Sequence, residues 1–83
     1  METREQVFTK LVGRAAPLFG KNPEEITENM KFVDDLKAKS VHYSQITTYL
    51  EDEFDIEVPY MTFRRKATIK EAVDYVTDLI ENE

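Results

Sequence analysis

Apolar residues recur at helical spacing in three stretches of this chain, and no stretch carries a strand pattern. With successive residues placed 100° apart across 3–19, Val7, Phe8, Leu11, Val12, Ala15, Leu18 and Phe19 share one face. Gln6, Thr9, Lys10 and Gly13 lie opposite. This predicts a first amphipathic helix. Pro17 falls late in it and removes the N–H that would bond the carbonyl of Gly13, so a kink or frayed end is expected there. Gly20 stands where a helix C-terminus takes a glycine.

The second stretch runs from Ser40 to Phe54. Tyr43, Ile46, Leu50 and Phe54 form one stripe with Thr47 beside them, while Val41, Gln45, Thr48 and Asp52 form the outward stripe. Pro59 ends the pattern. The third stretch is the clearest: Ile69, Ala72, Val73, Val76, Leu79 and Ile80 fall in a narrow arc, opposite Lys70, Glu71, Asp74, Asp78 and Glu81. Thr68 reads as its N-cap, with Glu71 three residues on completing a capping box.

The connections are unequal. Residues 20–39 have no sustained period. "NPEEI" reads as a turn capped by Asn22 with Pro23 first, and Ile26, Met30, Phe32, Val33 and Leu36 are spaced as anchors of a long loop laid over the core. Residues 60–66, "YMTFRRK", fit one short helical turn. The expected fold is all-α: a small four-helix bundle with three main helices, a long first loop and a short third helix, forming one domain over 1–83.

The composition narrows what such a bundle can do. A chain of 83 residues buries only about 60% of its unfolded surface, a thin core on which to support a strained catalytic cleft. Its 11 basic and 17 acidic residues leave a net charge of −6, which disfavours nucleic-acid binding and favours encounter with basic protein surfaces. There is no cysteine, hence no disulfide or thiolate chemistry. No apolar run has the length of a membrane span, and "METREQVF" lacks the apolar core of a signal peptide. A cytoplasmic monomer that engages neither membrane nor nucleic acid is expected.

Catalytic constellations are scarce. His42 is the single histidine; two residues from Ser40 on one helix, it diverges from it, so a solvated flank position is expected. The two glycines cannot build a phosphate loop, and "DDLKAKS" lacks the alternating acids and glycine of a calcium loop. The five acids of "EDEFDIE" read as a solvated, partner-facing surface. No catalytic or metal site is expected, and the chain is not expected to be an enzyme. Ser40 remains, at a loop-to-helix junction where backbone N–H groups are unpaired and the helix dipole is positive. From this position alone a plain N-cap is the expected reading, although a phosphodiester built on that hydroxyl would also find favourable electrostatics.

The stretch 32–76, "FVDDLKAKSVHYSQITTYLEDEFDIEVPYMTFRRKATIKEAVDYV", resembles the acyl carrier proteins through most of its length. The pieces are "FVDDL" before the serine, "LEDEF" closing the following helix, then "IEVP" and "AVDYV", in order and at compatible spacing. The resemblance implies a four-helix bundle in which Ser40 bears 4'-phosphopantetheine. That arm would carry an acyl group as a thioester for a fatty-acid, polyketide or specialised acyl pathway. It implies a phosphopantetheinyl transferase and acyl-transferring and acyl-modifying enzymes as partners. They would dock on Lys39, Val41, Gln45, Thr48 and Asp52. The inward residues Phe32, Ile46, Leu50, Phe54, Ile69, Val73 and Val76 would line the acyl pocket, and an inward Thr47 would suit a short or polar cargo.

The chain departs from the family where partners read it. The usual Gly-x-Asp-Ser-Leu is "KAKSV": Lys37 replaces the glycine, Lys39 the acid, and Val41 the leucine. Gln45 replaces a glutamate, and the usually acidic third helix is "YMTFRRK". A lysine at a helix start opposes the dipole by about 0.3–1 kcal/mol, so capping does not explain it. A specialised carrier with dedicated partners is expected. The alternatives are an unmodified acidic adaptor of the same fold and a peptidyl or aminoacyl carrier.

Overall fold

The computed structural model describes residues 2–82. Helix α1 spans Thr3–Phe19, a 3-10 turn Pro23–Glu25, α2 Ser40–Phe54, α3 Tyr60–Arg64 and α4 Ile69–Glu81. No strand is present among the described residues. The order and bounds follow the apolar periodicity closely. The third helix is shorter than the 60–66 expected, with Arg65 as its C-cap.

Pro17 does not fray α1. It lies in the last turn, and the helix continues to Phe19. Gly20 adopts φ 67°, its N–H bonds the Pro17 carbonyl, and the N–H of Lys21 bonds the Ala16 carbonyl at 2.9 Å. This paired closure uses carbonyls that the helix leaves open, and it needs a residue tolerant of the left-handed region.

α1 packs on α4 and α2, and α2 packs on α3. Between them lies one apolar cluster, in which Val7, Leu11, Phe32, Ile46, Leu50, Phe63, Ile69, Val73 and Val76 are fully buried. Each such side chain contributes roughly 1.5–3 kcal/mol by leaving water. The faces are those the spacing placed inward.

The long loop is not free. Ile26, Phe32 and Leu36 insert into the core, and Lys31 forms an isolated antiparallel bridge with Thr68. The N–H groups of Ile69 and Lys70, open at the start of α4, donate to the loop carbonyls of Met30 and Glu28. Thr68 caps α4 as expected, its Oγ1 accepting from the Glu71 N–H at 3.2 Å. The Glu71 carboxylate, however, accepts from the Thr68 hydroxyl, so only one half of the capping box forms. Arg4 ties the periphery together by donating to both Glu28 and Asp74, the latter at 2.6 Å. These bonds hold both carboxyls below their ordinary range and raise the Arg4 guanidinium.

Candidate functional site

Ser40 is the first residue of α2, and its side chain is exposed. The N-cap is Lys39, in extended conformation at φ −120°, ψ 170°. Its carbonyl accepts from the N–H of His42 at 2.9 Å, and its own N–H donates to Nδ1 of His42 at 3.0 Å. His42 thus occupies the third helical position and supplies the returning half of a capping box, a place usually filled by a carboxylate or amide. Its ring packs edge-on against Phe19 at 4.7 Å, at the end of α1. An accepting Nδ1 assigns the imidazole proton to Nε2.

Two readings change here. His42 is half-buried and structural rather than a solvated flank residue. Ser40 is not the cap: it stands one position inside the helix, and its hydroxyl bonds no described residue. The clue to His42 was its place three residues after the last extended residue, but the sequence does not say which residue that is.

The backbone under Ser40 is well held. The Tyr60 hydroxyl, at the start of α3, donates to the Ser40 carbonyl at 3.3 Å. Below it, the rings of Phe32, Tyr43 and Phe63 form a cluster with centroids 5.4 to 6.4 Å apart, joining the long loop, α2 and α3. Burial raises the Tyr43 phenol, against the opposing influence of Arg64. Neither Tyr60 nor Phe63 stood out from the periodicity, because α3 is too short to show one.

The approach to the serine is a turn closed by Ala38 N–H on the Phe32 carbonyl at 2.8 Å. Lys37 lies within it at φ 57°, in the left-handed region. A glycine would hold this backbone freely, whereas Lys37 holds it at a cost of about 1–2 kcal/mol. Asp34 faces the Lys31 ammonium and the Asp35 carboxylate accepts from the Lys31 N–H at 2.7 Å, so both neighbouring acids turn back toward Lys31.

The residues expected to meet partners, Lys39, Val41, Gln45, Thr48 and Asp52, are all exposed on the outward side. Of those expected to line a pocket, Phe32, Ile46, Leu50, Ile69, Val73 and Val76 sit fully buried in one cluster, and Phe54 is half-buried at its margin. Thr47 does turn inward, with its hydroxyl bonded to the Ser44 carbonyl at 3.0 Å. A surface hollow runs between α2 and the 57–60 segment, lined by Ser44, Thr47, Thr48, Glu51 and Tyr60 among others. Glu51 is fixed there by accepting from the Val58 N–H at 2.8 Å. No group of three metal-ligating side chains occurs among the described residues, and no described helix is long and apolar enough to cross a membrane.

The bundle thus presents at the start of α2 an exposed serine whose hydroxyl no described residue engages. The family model described as a phosphopantetheine attachment site matches residues 9–76, and the chain belongs to that family of phosphopantetheine carriers. The exposed junction fits the group: an anion there would face open helix N–H groups and the neighbouring Lys37 and Lys39.

Proposed function

We propose that the chain carries an acyl group as a thioester on 4'-phosphopantetheine attached through Oγ of Ser40. The observation that carries this reading is the freedom of the Ser40 hydroxyl. The capping work is done by Lys39 and His42, so the serine has no structural duty that would account for it. When bound, the arm supplies the thiol that this cysteine-free chain lacks. The residues around it do the rest: Tyr60 and the cap bond of His42 orient the backbone of Ser40, and the first-turn N–H groups favour the phosphodiester charge. The exposed stripe of Val41, Gln45, Thr48 and Asp52 offers partner enzymes a face continuous with the tether.

The buried Thr47 and the polar hollow beside α2 favour a short or polar cargo lying near the surface over a long chain threaded into the closed core. The test is intact mass after incubation with coenzyme A and a set of phosphopantetheinyl transferases, including that of the source organism. A mass gain in the native chain and none in Ser40→Ala is expected. No gain with any transferase overturns the reading in favour of an unmodified adaptor.

A further inference from the structure

The charges along α2 run against the helix that bears them. Lys37 and Lys39 precede its positive end, its first turn holds no acid, and its last turn holds no base but carries Glu51, Asp52 and Glu53. Both arrangements oppose the dipole, so helix stability does not account for them. Ion pairing accounts for Glu53, which Lys10 meets at 2.8 Å, but not for the basic residues: Lys37, Lys39, Arg64 and Arg65 make no salt bridge with any described residue. Asp34 and Asp35 turn to Lys31 and leave the two lysines uncompensated.

α3 adds to the same end of the molecule. Tyr60 ties its first turn to Ser40, and Arg64 lies exposed in the same short helix. Two of the most exposed large apolar side chains, Val41 at 54% and Met61 at 57%, lie on these helices. The surface around Ser40 is thus cationic with apolar contacts within it, on a chain whose net charge is −6.

We infer that the face formed by Lys37, Lys39, Val41, Met61 and Arg64 docks a protein partner whose own surface there is acidic, with an apolar recess. The inference rests on the reading of Ser40 as the tether. Like charges across an interface slow encounter and reject wrong partners, so this face discriminates against enzymes with a basic docking surface and steers acidic ones to the serine. The acidic end of α2 would orient the same partner along the helix.

The test uses the unmodified, 15N-labelled full chain. Titration with a hexaglutamate peptide in dilute buffer should shift the amides of residues 37–41 and 60–65, and the K37E/K39E/R64E variant should lose those shifts while keeping its dispersed spectrum. Shifts located elsewhere, shifts retained by the variant, or tighter binding to phosphatidylglycerol vesicles than to the peptide would overturn it, the last in favour of a membrane face. With the source organism's own transferase, the triple variant should lower kcat/KM for Ser40 modification by about tenfold with kcat kept, and added salt should narrow the gap. A faster variant overturns the inference. Absence of any mass gain in the native chain would instead defeat the Ser40 reading, leaving the peptide titration to decide the charge of the partner.

Discussion

The backbone N–H of Lys39 donates to Nδ1 of His42 at 3.0 Å, and this bond, not the serine between them, closes the start of α2. It leaves the Ser40 hydroxyl without a capping role and couples the junction to α1 through the contact of His42 with Phe19. A lysine at the N-cap has no side-chain acceptor, which places the whole capping duty on His42.

His42→Ala should therefore destabilise the fold by about 1–2 kcal/mol, combining a lost cap with a lost ring contact. His42→Asp restores an acceptor and should recover part of that loss. Urea denaturation of both variants checks the order; equal stability of His42→Ala and the native chain would defeat the assignment.

Ser40→Ala should change stability by less than about 0.5 kcal/mol, as expected of an exposed position without a partner. Were the serine a cap, the loss would be about 1 kcal/mol. Paired with mass spectrometry of the modified chain, this substitution separates tethering from capping.

Lys37→Gly should stabilise the chain by about 1 kcal/mol, since φ 57° is a strain for lysine and free for glycine. Lys37→Val should destabilise it, because a branched side chain tolerates that region least. Thermal unfolding of the two variants should move in opposite directions.

Acid should weaken the Arg4 clasp. The carboxyls of Asp74 and Glu28 are held below their unfolded values by hydrogen bonds from Arg4, so their contribution is full above about pH 5. It is lost as pH falls through the lowered folded values. In Arg4→Ala the melting temperature should fall less between neutral pH and about pH 2 than it does in the native chain. Both carboxylates are partly exposed, so added salt should reduce the difference.

Much of this protein was legible in its order of residues. The three long helices and their inward stripes follow from spacing, because a helix 3.6 residues to the turn must bury whatever falls on one side. Of the loop residues expected as anchors, Ile26, Phe32 and Leu36 are buried, whereas Val33 is exposed to solvent. The Ser40 junction and its family pattern were likewise visible. What sequence alone could not settle was the assignment of hydrogen bonds at that junction. Whether Ser40 or Lys39 is the cap depends on one residue's backbone angles, and tertiary packing selects those: Phe32 under the turn, Phe19 against His42, Tyr60 on the Ser40 carbonyl. The left-handed Lys37 is of the same kind, a conformation its side chain disfavours and the closed turn imposes. Periodicity determines which residues face inward; the meeting of distant segments decides which polar groups are used up and which, like the Ser40 hydroxyl, are left free.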